Sequence, residues 1–328
     1  MGFVIQSILT VILTVELIIG NLGNGFIAVV NCMDWVRRRK ISSVEQILIP
    51  LAISRIGVLW FILLNWWISV LYPALSVPGK IFRIFYIFLR VCNHFGAWFA
   101  TCLGIFYFLK IANFSNSVFL YLKRRVKKVV SVTLLVSLVL LLINLALMNT
   151  YIDVWIDGSK RNTSYNSSSR NYAPFYKVVL FTNSMFMLVP FSVSLATFIL
   201  LIISLRKHLK KMQHNAKGSR DASTTAHVKA LQSVIAFLLL YATFFLSFLP
   251  QIWISDLKEK SPIILFFWVT KIAFPAGHSY VLILGNCKLR QAFLSVFVAS
   301  KVLAEKMETC KSIDQKQGHG MTSSRNHG

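Results

Sequence analysis

The chain has 328 residues, 56% hydrophobic and 14% charged, with a formal net charge of +24 and a mean hydropathy of +0.64. A soluble globular domain cannot hide that much apolar surface, so the composition places the chain in a membrane. The basic excess does not describe a nucleic-acid binder, because the Lys and Arg sit in gaps between apolar runs and no soluble face carries them.

The N-terminus leads directly into an apolar run containing Glu16. With no charged leader or small-residue cleavage site, it reads as a signal-anchor helix. Seven apolar segments follow one another, at roughly 7–32, 47–70, 82–110, 129–149, 177–204, 231–254 and 263–285. Each is long enough for one helical crossing at ~1.5 Å per residue. No internal repeat or low-complexity linker divides them. The expected architecture is therefore an all-α membrane protein, a seven-transmembrane helix bundle forming one domain over 1–302, with a polar, disordered tail over 303–328. Pro190 and Pro275 can kink the fifth and seventh segments, whereas Pro250 marks the end of the sixth. The five cysteines show neither metal-ligand spacing nor a disulfide framework.

Orientation follows from the basic residues. The first, third and fifth gaps and the tail hold 4, 6, 7 and 7 Lys and Arg, against 0, 2, 3 and 2 at the N-terminus and in the other gaps. This bias predicts an extracellular N-terminus and a cytoplasmic C-terminus. The long loop between Tyr151 and Tyr176 then faces outward, and its sequons Asn162-Thr163-Ser164 and Asn166-Ser167-Ser168 become glycosylation sites. A third match, at Asn113, falls on the cytoplasmic side. After the seventh segment, bases alternate with Leu289, Phe293, Leu294 and Phe297 over 287–302. That pattern fits a short amphipathic eighth helix on the inner leaflet, the alternative being a solvated tail.

Polar residues inside apolar helices are the informative ones. Counted from the cytoplasmic end, Asn24, Arg55, His278 and Ser279 share a layer roughly 10 Å deep. There Arg55 should find acceptors and form a polar clasp between helices, unless it snorkels to the interface. A second layer, roughly 15–30 Å deep, holds Trp66, Asn93, Phe186, Tyr241, Phe244, Phe248, Gln251, Trp268 and Lys271. Aromatic walls with a few polar groups describe a small-molecule cavity, although any one of these aromatics could face lipid. Glu16 and Lys271 lie at matching depth on the first and seventh helices, and an ion pair between them is expected; left unpaired, Lys271 would meet acidic ligands. The third helix joins the two ends. It carries Asn93 and His94 in its upper half and runs into Lys123-Arg124-Arg125-Val126-Lys127-Lys128 below, an arrangement that suits a signal transducer. No nucleophile-base-acid set, phosphate loop or metal motif is present, so an enzyme is not expected. Inverted repeats and mid-membrane ion ligands are also missing, which disfavours a transporter.

Several longer strings are distinctive. They are Glu16-x-x-x-Gly20-Asn21-x-x-Asn24, Leu51-Ala52-Ile53-Ser54-Arg55, Phe106-Tyr107-Phe108-Leu109-Lys110-Ile111-Ala112-Asn113-Phe114-Ser115, Pro190-Phe191-x-x-Ser194-Leu195, Ser204-Leu205-x-Lys207-His208, and His278-Ser279 through Asn286 to Ala292. On these the chain resembles the type 2 taste receptors, the bitter-taste family of G-protein-coupled receptors, and its start and loops look nearest to the group of member fourteen. The Asp-Arg-Tyr and Asn-Pro-x-x-Tyr motifs of rhodopsin-like receptors are absent. A vomeronasal-type pheromone receptor is the nearest rival reading.

The resemblance implies a plasma-membrane sensor of diverse, mostly hydrophobic bitter compounds, coupled to gustducin and related inhibitory-class G proteins. It implies ligand contacts at Trp66, Asn93, Phe186, Tyr241, Phe244, Phe248 and Trp268. Leu89, His94 and Lys271 complete the candidate set, Leu89 standing where many members carry a Trp. The G-protein face is expected at Tyr107, Lys110, Lys123, Leu205, His208 and His227, and the family's loop glycan at Asn162. The implied partners are small-molecule agonists, the heterotrimeric G protein and the lipid bilayer, with a second receptor copy left open; no cofactor, metal or nucleic acid is implied.

Overall fold

The computed structural model describes residues 2–71, 80–161, 173–215, 222–247, 262–302 and 305–306. These residues are helical almost throughout, with no strand among them. The helices are α1 (Gly2–Arg38), α2 (Glu45–Leu71), α3 (Lys80–Ile111), α4 (Ser117–Arg124), α5 (Val126–Arg161), α6 (Ala173–Asn215), α7 (Ala222–Leu246) and α8 (Pro262–Gly285), followed by α9 (Cys287–Val302). Five of them, α1, α2, α3, α5 and α6, are long and apolar enough to cross a membrane, and the number rises to six if α8 and α9, which pass together but are bent, are counted as one span. The described apolar part of α7, Leu231–Leu246, is shorter; the remainder of the sixth apolar segment lies outside the described residues. The chain is thus an all-helical membrane protein.

Two compact units are present, residues 1–282 and 283–328. In the first, α3 is the hub. It packs against α2, α4, α5 and α6, and 72% of its apolar window is buried, against 11% for α1 and 22% for α5. Lipid-facing helices keep an apolar exterior instead: Leu135, Val139, Leu142 and Leu147 of α5 are all exposed, as a hydrocarbon solvent permits.

Local signals set the helix ends. At the start of α2, Ser42 and Glu45 cap each other: the Ser42 amide donates to Glu45 Oε2 (2.7 Å) and the Glu45 amide to Ser42 Oγ (3.3 Å). This reciprocal box satisfies two amides that the first helical turn leaves free. Asn116 starts α4, its side chain accepting from the Val118 amide at 2.8 Å. That short helix was not foreseen in the sequence, where its bases read only as a charged cluster. In the second unit, Asn286 Oδ1 accepts from the Lys288 amide (3.0 Å) and the Leu289 amide (3.3 Å), which fixes the start of α9.

Small residues let the long helices approach closely. A Cβ on Gly23 would lie 2.4 Å from Ser279 Oγ, and one on Gly57 would lie 2.7 Å from Cys92 Sγ. A side chain at Gly23 would have to displace Ser279, and one at Gly57 would have to displace Cys92.

Candidate functional site

Two polar and aromatic layers lie within the first unit. In the Arg55 layer, Asn24, Arg55, His278 and Ser279 are all at most 3% exposed. Arg55 does not snorkel. Its Nη2 donates to His278 Nδ1, and its guanidinium lies 5.1 Å from the centre of the Phe274 ring. A guanidinium can only donate, so Nδ1 must be an acceptor and His278 holds its proton on Nε2. Arg55 Nη1 stays buried without a hydrogen-bond partner. Asn24 does not touch the guanidinium through any hydrogen bond; its Nδ2 donates to Gly20 O (2.8 Å) and across to Pro275 O (3.1 Å). Ser279 donates to Ala276 O within its own helix at 2.6 Å.

Above this layer an aromatic floor closes the bundle. Tyr241 stacks on Phe274 at 5.0 Å and meets Phe191 edge-on at 5.4 Å. Phe244 lies 5.0 Å from Phe274, and Phe191 stacks on Phe245 at 4.3 Å. Tyr241 and Phe244 are buried in this floor, so both present ring surface within a packed aromatic cluster.

The remaining residues of the Asn93 layer fall into different settings. Asn93 is half-buried, and its side chain makes no hydrogen bond to any described residue. Phe186 and Trp268 are half-buried, and Leu89 packs with Trp268 onto a cluster formed by Leu13, Leu17, Val58, Leu59, Ile62 and Ile272. His94 turns away from these groups. It is 1% exposed, bonds through Nε2 to Ser137 O of α5 at 2.9 Å, and sits 5.9 Å from Trp98; this contact is a tie between α3 and α5. The ion pair expected between Glu16 and Lys271 is not formed. Glu16 Oε2 is buried without a hydrogen-bond partner, and Lys271 Nζ lies over the ring of Trp268 at 5.2 Å. A neighbouring aromatic face on its own helix gives the ammonium a favourable contact without reaching α1. Trp66 and His227 lie on α2 and α7, with side chains outside the described set; Phe248, Gln251, Asn162 and Asn166 lie outside the described residues altogether.

Two interhelical ties were not anticipated. Arg90 of α3 is 3% exposed; its Nε donates to Tyr86 Oη (2.6 Å), its Nη1 to Asn183 Oδ1 of α6 and its Nη2 to Val179 O (3.0 Å). One turn of reasoning was available in the sequence: an Arg within an apolar run is as costly at position 90 as at position 55. Lower down, Thr101 Oγ1 hydrogen-bonds Ser194 Oγ (2.8 Å) and donates to Pro190 O (3.1 Å), linking α3 to the proline turn of α6. Small hydroxyls of this kind carry no distinctive pattern in a single sequence.

At the C-terminal end of α3 the chain is braced. Lys123 Nζ donates to Ala112 O at 2.8 Å, and the Asn113 amide to Ser204 Oγ of α6 at 3.0 Å. Phe108, Phe114 and Phe119 pack together with centroids 5.3–6.2 Å apart. Lys110 and His208 are exposed, Tyr107 is half-buried, and Leu205 is buried at 3%.

The same residues are matched by known proteins. Residues 1–301 match the family model described as taste receptor protein (TAS2R). The chain is 55% identical over 296 residues to taste receptor type 2 member 140 of Rattus norvegicus, covering 90% of this chain and 95% of the relative. It is 56% identical over 296 residues to taste receptor type 2 member 14 of Papio hamadryas, covering 90% and 93%. It is also 56% identical over 298 residues to the Homo sapiens member 14, covering 91% and 93%. With the family model spanning nearly the whole chain, this protein belongs to the TAS2R taste receptor family and is a receptor, not an enzyme.

Proposed function

We propose that this chain is a seven-helix, G-protein-coupled bitter taste receptor of the plasma membrane, with an extracellular N-terminus, a cytoplasmic C-terminus and α9 lying on the inner leaflet. Small, mostly hydrophobic agonists bind above the aromatic floor, among Trp66, Leu89, Asn93, Phe186, Tyr241, Phe244, Phe248, Trp268 and Lys271. His94 is left out of that site, because its ring is tied to Ser137 O of α5. The G protein, of the gustducin and inhibitory class, meets the C-terminal end of α3 and its surroundings at Tyr107, Lys110, Lys123, Leu205, His208 and His227. Glycans fall on Asn162 and Asn166.

The observation that carries this reading is Asn93. It is a half-buried amide on the hub helix, and its polar atoms have no described partner. A half-buried amide of this kind can both donate to and accept from a ligand. The floor beneath connects the site to the Arg55 layer, because Phe274 touches both Tyr241 and the Arg55 guanidinium. Activation is a population shift: an agonist that binds the active arrangement more tightly stabilises it, and only that difference in affinity drives signalling.

The test is a calcium or G-protein activation assay on cells displaying the receptor, challenged with a panel of bitter compounds. Agonist-dependent activation is expected, and it should weaken at least about tenfold in potency for Asn93→Ala, the effect of losing ~1.4 kcal/mol of binding, with surface expression retained. Unchanged dose–response curves across several agonists in that variant would remove Asn93 from the site.

A further inference from the structure

The short helix α4 has two unlike faces. Phe119 points inward, packed against Phe108 and Phe114 at the C-terminal end of α3. Lys123, one turn on, shares that face: its Nζ donates to Ala112 O at 2.8 Å and lies 5.6 Å from the centre of the Phe119 ring. On the opposite face Leu120, Tyr121 and Arg124 are all exposed. Arg125 ends the helix, its amide donating to Leu122 O at 3.0 Å and its guanidinium lying 4.7 Å from the centre of the Tyr121 ring. The first turn of α5 then adds Lys127 and Lys128, both exposed. Exposed bases at 124, 125, 127 and 128 thus crowd one short stretch of chain, and none of them pairs with a carboxylate among the described residues. No Asp or Glu occurs anywhere between Glu45 and Asp153. The basic run Arg37–Lys40 at the end of α1 differs, because Asp34 stands one turn from Arg37 and Arg38 and offsets part of its charge.

Position adds to charge. α4 joins the end of α3 to the start of α5, and both of these are long and apolar enough to cross a membrane, so α4 lies at the bilayer surface. Exposed apolar side chains beside clustered bases suit an interfacial helix, its apolar groups among acyl chains and its cations among headgroups. A soluble anion would use the bases and leave Leu120 and Tyr121 in water. A lipid with a multiply charged headgroup uses both, and closely spaced bases beside a spanning helix favour it over a singly charged one. We propose that the outer face of α4 and the start of α5 form a docking surface for a phosphoinositide of the adjoining leaflet. Arg124, Arg125, Lys127 and Lys128 hold its phosphorylated headgroup, and its acyl chains lie along Leu120 and Tyr121. The proposal rests on the receptor reading in placing this end of the bundle in the cytoplasm.

The experiment titrates the detergent-purified, full-length receptor with phosphatidylinositol bisphosphate, phosphatidylserine or inositol trisphosphate and counts bound molecules by native mass spectrometry. The phosphoinositide is expected to bind at least about tenfold more tightly than phosphatidylserine. It should also bind more tightly than inositol trisphosphate, which carries the phosphates without the acyl chains. Changing Arg124, Arg125, Lys127 and Lys128 together to Gln should weaken phosphoinositide binding at least about tenfold, whereas the same change at Arg37, Arg38, Arg39 and Lys40 should leave it unaltered. If the quadruple α4–α5 variant melts below wild type, the double variants Arg124→Gln with Arg125→Gln and Lys127→Gln with Lys128→Gln are read in its place, each expected to lose part of the affinity. The proposal is overturned by a phosphoinositide that binds no better than phosphatidylserine or than inositol trisphosphate, by patch variants that keep full affinity, or by an α1 variant that loses as much. Patch variants that bind the lipid as before but lose G-protein activation in a pure phosphatidylcholine bilayer overturn it in favour of a protein partner. Sidedness plays no part in detergent, and activation of the wild-type receptor by bitter compounds is measured separately, so the receptor reading stands or falls on its own result.

Discussion

Arg55 of α2 and His278 of α8 are joined by a hydrogen bond in the buried interior, with the guanidinium also resting 5.1 Å from the Phe274 ring. The pair is asymmetric. Arg55 is charged and can only donate, and His278 is the acceptor it has found.

Removing the two partners should therefore have unequal effects. His278→Ala leaves a buried guanidinium without its acceptor and should destabilise the fold by about 3–5 kcal/mol. Arg55→Met removes the charge itself and should cost less, about 1–3 kcal/mol, largely as lost packing and one lost hydrogen bond. The double variant should be milder than the sum, because the unpaired charge is then gone. Thermal unfolding of the detergent-solubilised receptor reads all three.

Asn93 and His94 are neighbours in the chain with opposite duties. Asn93→Ala removes no described contact, so the unfolding midpoint should stay close to wild type, within about 0.5 kcal/mol, while agonist potency falls. His94→Ala deletes the bond to Ser137 O and should lower stability by about 1–3 kcal/mol. Side-by-side thermal melts and dose–response curves separate the two. Equal melts for both variants would make His94 a member of the site and not a tie.

The contact between Gly23 and Ser279 is a matter of space. Gly23→Ala puts a methyl 2.4 Å from Ser279 Oγ but 3.1 Å from its Cβ. The variant should lose about 1–3 kcal/mol, and adding Ser279→Ala should restore much of it by removing the clashing oxygen. Surface expression and melting of the single and double variants provide the check.

Bracing at the C-terminal end of α3 should matter for coupling. Lys123→Met deletes the bond to Ala112 O, and Asn116→Ala deletes the cap of α4, which is worth about 1 kcal/mol. Both should lower maximal G-protein activation at saturating agonist more than they change agonist potency. The assay is the same activation measurement, normalised to receptor at the surface.

Much of the architecture was legible from residue order because bilayer-length apolar runs have few alternative fates. The Arg55 layer was legible too: counting residues from the helix ends placed Arg55 and His278 at one depth, and they are bonded. Depth alone says nothing of azimuth, which is why Glu16 and Lys271 looked like partners and are not. It is also why His94, beside Asn93 in the chain, points to α5. Arg90 was passed over because a lone Arg near a helix end reads as an interface residue until its acceptors on α6 are seen. The α2 capping box stands in the sequence as Ser42-x-x-Glu45 and went unread there.

Three contacts fasten α1 to α8 along one seam: Asn24 to Pro275 O at 3.1 Å, Tyr280 Oη to Ile19 O at 3.2 Å, and Gly23 beneath Ser279. Pro275, which lies inside α8, is thereby gripped from outside its own helix, so α1 and α8 are expected to move together. The boundary between α6 and α7 is built otherwise, on the parallel faces of Phe191 and Phe245, 7° from coplanar. Flat rings can glide past one another without rupturing a directional bond, so any shear between states is expected on that side of the first unit.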